Sequence, residues 1–187
     1  MNDHEEEELV ERAKKDPEAF GVLFDQYYQH IFGYAYRRTM DVDVAKDITS
    51  EVFFKAFKNL WSFRWRGISI SAWFYRIATN EINYYFRRKA RRPTSLNKLM
   101  KENGFDLGAF DFSCSEENET ETQLEHYLDF LEIQSKLKLL PAKYQEVIAL
   151  KYFEGKRIKE ICEILKKKEG TVKALISRGL EKLRKLV

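Results

Sequence analysis

The stretch Asp16-Pro-Glu-Ala-Phe-Gly-Val-Leu-Phe-Asp-Gln-Tyr-Tyr-Gln-His-Ile-Phe-Gly-Tyr-Ala35 decides the fold class. Asp16 suits an N-cap, Pro17 fits the first helical position, where no N–H is needed, and Glu18 sets a carboxylate near the positive end of the helix dipole. Behind this cap Phe20, Leu23, Phe24, Tyr27, Tyr28, Ile31, Phe32, Tyr34 and Ala35 recur every three or four residues, which stacks them on one wide core face. His30 follows that face and reads as a surface or boundary residue.

Moving outward, Val44, Ala45, Ile48, Val52, Ala56 and Leu60 keep the same period, while Asp47, Glu51, Lys55 and Lys58 fall on other sides. A third helix is predicted to begin near residues 69–71. It carries Ala72, Trp73, Phe74, Ile77, Ala78, Ile82 and Tyr85, and ends in Arg87-Arg-Lys-Ala-Arg-Arg92. Pro93 closes this first domain, because the residue before a proline is pushed out of the helical region.

From Glu102 to Glu132 there is no Lys or Arg, against ten acidic residues. Gly104, Gly108 and the polar run Ser113 to Thr122 predict a flexible linker, whereas Leu124, Leu128 and Leu131, then Leu137, Leu139 and Leu140, start a new helical region near Gln123. Pro141 opens a helix through Tyr144, Val147, Ile148 and Lys151 that Gly155 ends. Two more follow, Arg157 to Leu165 with Ile158, Ile161, Cys162 and Leu165 inward, and Glu169 to Leu186 with Val172, Leu175, Ile176, Leu183 and Leu186 inward. Their short connection is that of a helix-turn-helix. The expectation is an all-α chain of two small helical domains, an N-terminal helical bundle over residues 1–93 and a C-terminal helix-turn-helix domain over 123–187, joined by a flexible acidic linker over 94–122.

Composition agrees. The 187 residues, 44% hydrophobic with eight Gly and three Pro, suit a compact helical chain and not a strand-and-turn fold. The acidic amino terminus differs from a basic leader, and no stretch reaches the roughly 20 apolar residues of a membrane helix, so a cytoplasmic protein with no membrane insertion is expected. The glycines form neither GxGxxG nor GxxxxGK[ST], which removes the phosphate cradle of a nucleotide-driven enzyme. Three scattered histidines offer no metal or triad spacing, and Cys114 and Cys162 read as free thiols. No catalytic residue, metal or cofactor is expected.

With 33 Lys+Arg against 30 Asp+Glu the net charge is only +3, so placement matters more than sum. Between Lys156 and Lys185 eleven basic residues face four acidic ones, and a short helix pair with a basic second member fits major-groove docking. A solvated helical hairpin has the same composition. The other basic run, Arg87 to Arg92, continues a helix bearing Trp73, Tyr75, Arg76, Asn80, Asn83 and Tyr84. Cations, amides and aromatic faces together suit unpaired DNA, where each stacked base contributes roughly 1–3 kcal/mol. One of Trp73 and Phe74 is expected to serve the core instead.

Four motifs, in this order and spread over nearly the whole chain, carry a family resemblance. They are Asp43-Val-Ala-Lys-Asp-Ile-Thr-Ser-Glu-Val-Phe-Phe-Lys-Ala-Phe57, Ser71-Ala-Trp-Phe-Tyr-Arg-Ile-Ala-Thr-Asn80, Leu140-Pro-Ala-Lys-Tyr-Gln-Glu-Val-Ile-Ala-Leu-Lys-Tyr-Phe-Glu-Gly155 and Glu169-Gly-Thr-Val-Lys-Ala-Leu-Ile-Ser-Arg-Gly-Leu-Glu-Lys-Leu-Arg184. The chain resembles the extracytoplasmic-function (ECF) sigma factors of bacterial RNA polymerase. The last motif is also similar to the response-regulator helix-turn-helix.

The resemblance implies a transcription initiation factor whose first domain binds core RNA polymerase and melts the promoter's minus-10 element while the second reads the minus-35 element. Asp47, Ile48, Glu51, Val52, Phe54 and Lys55 would face the largest polymerase subunits. Arg64, Arg66, Trp73, Arg76, Asn80, Asn83, Arg87 and Arg88 would meet minus-10 DNA, with residues 64–71 as the loop beside the separated strand. A flipped base held in a pocket would offset lost stacking without ATP. Lys168, Glu169, Gly170, Thr171, Lys173, Ala174, Ser177, Arg178 and Lys182 would meet minus-35 DNA, Thr171 and Lys173 foremost. The partners implied are core polymerase, promoter DNA and an anti-sigma factor. The acidic linker would run through basic polymerase channels.

Two departures stand out. Arg157 occupies a position where the family usually has a small hydroxyl N-cap, and the turn reads Lys166-Lys-Lys168 where Gly, an apolar residue and Ser or Thr are common. A left-handed Lys166 would store about 1 kcal/mol of strain, and its like-charged neighbours would add to it. A stand-alone helix-turn-helix regulator and a helical protein-interaction module remain as alternative readings of the same residues.

Overall fold

The computed structural model of the protein describes residues 3–65, 67–91, 133 and 135–186. Among them all regular structure is helical: α1 (Asp3–Ala13), α2 (Pro17–Thr39), α3 (Val42–Asn59), a 3₁₀ turn (Leu60–Ser62), α4 (Ile70–Arg91), a helical stretch at 135–139, α5 (Ala142–Ile148), a π-helical turn (Ala149–Phe153), α6 (Ile158–Leu165) and α7 (Glu169–Arg184). The acidic linker, Pro93 and the expected domain start near Gln123 lie outside the described residues.

The helices form a front cluster, α1 to α4, and a rear cluster, from residue 135 to α7; the local causes of the front cluster are those the sequence carries. Asp16 accepts the Glu18 N–H at 2.9 Å with Pro17 in the first turn, and Asp41 likewise caps α3 by accepting the Val44 N–H at 3.0 Å. Between these two helices the chain turns on Met40, held left-handed at φ 53°. Helices α2, α3 and α4 then close a core rich in aromatic rings. Phe74 lies 5.3 Å from Phe53 and 5.4 Å from Tyr27, tilted pairs that add about 0.5–1.5 kcal/mol each to the area they bury. Phe24 sits at the rim of this core and not within it, edge-on to Phe53 at 4.8 Å.

Helix α1 was not foreseen. Its acidic run hides a short apolar stripe, Leu9, Val10 and Ala13, that packs on α2, and Glu6 is buried among them.

In the rear cluster Pro141 precedes α5, and two carbonyls before it are met by Gln145, whose Nε2 donates to Leu140 O at 2.7 Å and Lys138 O at 3.1 Å. Helix α5 packs on α7 at Gly179, where a Cβ would stand 3.0 Å from Ile148 Cδ1. Only glycine allows that approach at no cost. Helix α6 begins without a hydroxyl cap; Arg157 takes the place, and Glu160 Oε2 accepts its N–H at 2.8 Å instead. The inward face of α7 is Val172, Ile176 and Gly179 with Leu175 and Leu183 half-buried, whereas Leu186 is exposed, contrary to expectation, because the helix ends at Arg184.

The two clusters touch along a polar seam. Helix α6 packs on α4, and the π-helical turn reaches α2. That turn forms because the Glu154 N–H bonds to Ala149 O, five residues back, at 3.0 Å. Glu154 then accepts from Arg37 through Oε1 and from the Tyr75 hydroxyl through Oε2 at 2.5 Å. Lys156 Nζ donates to Ser71 Oγ at 2.9 Å and lies 4.6 Å from the Tyr75 ring centroid, and Asn83 Nδ2 donates to Glu146 Oε2 at 3.3 Å. Burial, aided by the Glu154 charge and hydrogen bond, holds the Tyr75 hydroxyl well above the usual phenol range, while burial lowers the Lys156 ammonium. Asn80 and Lys173 both remain exposed despite the seam.

Candidate nucleic-acid interface

The front candidate surface starts from the loop between the 3₁₀ turn and α4. Gly67, at φ 67°, permits a backbone bend there that side-chain-bearing residues rarely adopt. Ser69 ends the loop and starts the helix: its Oγ accepts the Ser71 N–H at 3.1 Å and its carbonyl the Ala72 N–H at 3.0 Å. The cap fixes where α4 begins, within two turns of Trp73 and Arg76.

A cleft of about 250 Å³ opens beside this cap, lined by Phe63, Arg64, Ile68, Trp73 and Arg76 of the front cluster, by Glu163 of α6 and by Lys166 just beyond its end. Trp73 is half-buried, its ring 5.3 Å from Phe63, whereas Phe74 is wholly in the core. One ring of the pair thus packs and the other faces the cleft. Arg64, Asn80, Arg87 and Arg88 are exposed, with Arg88 stacked 5.6 Å over Tyr84. Asn83 is not free but bound to Glu146 across the seam. Arg66 lies outside the described residues. The structure therefore brings Arg64, Trp73 and Arg76 together, and ranges Asn80, Arg87 and Arg88 further along α4.

On α3 the expected polymerase-facing set divides. Ile48 and Val52 are core residues, 7% and 0% exposed, and present nothing to a partner; the period that placed them inward is the stronger signal. Asp47, Glu51 and Phe54 are exposed. Lys55 is half-buried between Glu51 at 3.0 Å and Glu81 at 2.8 Å, and its hydrogen bond to Glu81 raises the ammonium above the usual lysine value. Sequence reasoning missed Phe57 and Trp61, which are 48% and 70% exposed and extend the Phe54 patch. Positions 54, 57 and 61 are spaced three and four apart on the side away from Ile48 and Val52, a signal that was available.

The rear surface is simpler. All nine candidates, Lys168, Glu169, Gly170, Thr171, Lys173, Ala174, Ser177, Arg178 and Lys182, are exposed, while Val172, Ile176 and Gly179 turn inward. Lys173 pairs with Glu169 at 2.6 Å, so one negative charge tempers the first turn. Before α7, Lys166 is left-handed at φ 51°, ψ 47°, the strained geometry its sequence foreshadows. Its N–H and that of Lys167 close the end of α6 on Cys162 O. Cys162 is a free thiol, and burial pushes its pKa up, so it carries little thiolate. Among the described residues no group of three His, Cys, Asp or Glu could hold a metal ion, and no helix is long and apolar enough to cross a membrane.

A front cluster with an aromatic and cationic cleft, followed by a rear helix-turn-helix with an exposed basic helix, has the form of a sigma-70-type initiation factor. Family models agree: Sigma-70 region 2 matches residues 23–92 and Sigma-70, region 4, matches residues 130–183. The chain is 34% identical to the ECF RNA polymerase sigma factor SigW of Bacillus subtilis over 180 residues, 94% of this chain and 93% of that protein. It is 32% identical over 176 residues to the ECF RNA polymerase sigma-E factor of Escherichia coli K12, covering 92% of this chain and 89% of that one. Against BldN of Streptomyces coelicolor, also an ECF sigma factor, identity is 29% over 96% of this chain, which spans 65% of that relative's length. Two solved structures share the fold: CnrH in complex with the cytosolic domain of CnrY (TM-score 0.68, 22% identity, 97% of this chain and 96% of that one), and RpoE of Bartonella quintana with the anti-sigma factor NepR (0.64, 21%, 89% and 95%). The chain belongs to the ECF RNA polymerase sigma factors, the sigma-70 family's transcription initiation factors.

Proposed function

We propose that this sigma factor binds core RNA polymerase through the exposed face of α3, takes the melted minus-10 strand in the cleft around Trp73, and reads the minus-35 element with α7. The division of labour follows residues 1–93 and 123–187, with the acidic segment 94–122 as tether. On α3 the contact is carried by Asp47, Glu51, Phe54 and Lys55, an apolar centre with a charged rim, joined by Phe57 and Trp61. In the cleft, Trp73 offers a stacking face and Arg64 and Arg76 neutralise phosphate, with Asn80, Arg87 and Arg88 continuing the track. On α7, Thr171 and Lys173 meet base edges or the nearest phosphates and Arg178 and Lys182 flank them. The protein performs no covalent chemistry of its own and acts in the cytoplasm, where its template and polymerase are. An anti-sigma factor restrains it, by analogy with the CnrH and RpoE complexes.

The observation that carries this reading is the sorting of α7: every candidate side chain is exposed while the alternate face is committed to the core. Such a helix can enter a groove without unfolding anything. Reconstitution with purified core polymerase and a promoter library tests the reading. Start sites that appear only when this chain is added support it, and failure to associate with core at low salt would overturn it.

A further inference from the structure

Glu6 lies in α1, ahead of the region 2 match, and belongs to none of the surfaces above. It is a carboxylate only 5% exposed, which demands partners. Its Oε1 accepts from the Tyr27 hydroxyl on α2 and, at 2.9 Å, from Ser69 Oγ at the end of the cleft loop. Ser69 is the residue whose Oγ caps α4. Beyond it the hydroxyl chain continues: Ser69 Oγ lies 3.0 Å from Ser71 Oγ, which takes a hydrogen bond from Lys156 Nζ of the rear cluster. A carboxylate thus stands at one end of a two-serine relay and an ammonium at the other. The ammonium end leaves if the rear cluster moves off the front one; the carboxylate end stays, because α1 is packed on α2.

We propose that Glu6 is a positioning residue for promoter opening: by holding Ser69 it sets the start of α4 and so the placing of Trp73 and Arg76 around the cleft. The proposal rests on the reading that this cleft receives the minus-10 strand. A charged acceptor suits the task, since hydrogen bonds to charged groups are the stronger ones. Of the two donors on Glu6, Tyr27 serves to pin α1 and Ser69 serves the loop.

The two arms make the test. Holoenzymes carrying Glu6→Gln, Ser69→Ala, Tyr27→Phe and the Glu6→Gln/Ser69→Ala pair are compared for promoter opening, read by 2-aminopurine at the minus-10 element, and for core affinity. Glu6→Gln slows opening by roughly tenfold, the lower end of what losing a hydrogen bond to a charged group produces, with core affinity unchanged. Ser69→Ala slows it at least as much, because the cap is lost too, and the pair is no slower than Ser69→Ala alone. Tyr27→Phe lowers the melting temperature but opens at the wild-type rate. Glu6→Gln at wild-type speed, additive losses in the pair, or a Tyr27→Phe defect equal to that of Glu6→Gln would each overturn the positioning role. Wild-type holoenzyme that binds but never opens the promoter would instead overturn the minus-10 reading on which it rests.

Discussion

Replacing Glu154 by Gln removes a buried carboxylate through which the rear cluster holds two helices of the front one. Its side chain is 2% exposed and accepts from Arg37 of α2 and Tyr75 of α4, so the isosteric amide can keep its oxygen on Arg37 only by setting its NH2 against the Tyr75 hydroxyl, which must turn to accept, and the charge opposite Arg37 is lost either way. Breaking one side of a buried charge pair costs about 3–5 kcal/mol. Part of that is recovered here, because Arg37 keeps its place 5.7 Å over the Phe153 ring, and Lys156 to Ser71 and Asn83 to Glu146 survive. A net loss of about 2–3 kcal/mol from the seam shifts the ratio of closed to open molecules by roughly 30- to 150-fold. Small-angle scattering reads this directly: Glu154→Gln should show a larger radius of gyration than wild type with unchanged helix content by circular dichroism. Resonance transfer between dyes on the exposed positions Lys46 and Ser177 gives a second measure and should fall. Equal radii and equal transfer in the two proteins would refute the seam as the contact that holds the clusters together.

Further outcomes follow from the same geometry. Burial lowers the Lys156 pKa, so the closed form binds fewer protons there than the open form and gains stability from this group as pH rises through the lowered value toward the ordinary lysine value; Lys156→Met should abolish that part of the scattering change. Lys166→Gly relieves a left-handed lysine and should stabilise the rear cluster by roughly 1 kcal/mol, seen as a higher thermal midpoint. Promoter DNA should slow amide exchange at residues 166–168 in wild type, and equal protection with and without DNA would contradict a soft turn. Gly179→Val drives a side chain into Ile148 and Tyr144 and should cost about 1–3 kcal/mol in chemical denaturation, with the front cluster's melting unaffected. Lys173→Ala should weaken binding to all duplexes and lower the salt slope by about one if it meets phosphate, whereas Thr171→Ala should cost roughly 1–3 kcal/mol at a single base pair if it reads a base edge.

What was legible in the sequence was what is local. Asp16 with Pro17, the three- and four-residue recurrence on α2 and α4, and the short α6–α7 connection each act within a few positions, so the helices and the exposed face of α7 could be read without a structure. Helix α1 was lost because three apolar positions, Leu9, Val10 and Ala13, are too few to rise above the acidic run around them. Ile48 and Val52 show where a motif misleads: resemblance assigned them outward, yet their own spacing with Ala45 and Ala56 had already committed them to the core. The seam could not be read at all. Arg37 and Glu154 are 117 residues apart, and nothing in either neighbourhood marks it as the other's partner. Nor does composition announce a π-helical turn, which depends on a single hydrogen bond being made five residues back.

In the proposed division of labour the front cluster opens the promoter and the rear cluster reads it. The most direct measurement compares holoenzymes carrying Trp73→Ala or the Thr171→Ala/Lys173→Ala pair on two templates, one fully duplex and one mismatched across the minus-10 element. Transcription by the Trp73→Ala enzyme should return on the mismatched template, where opening is no longer needed, while the Thr171→Ala/Lys173→Ala enzyme should stay impaired on both. Equal rescue of the two, or rescue of the rear variant alone, would contradict the division.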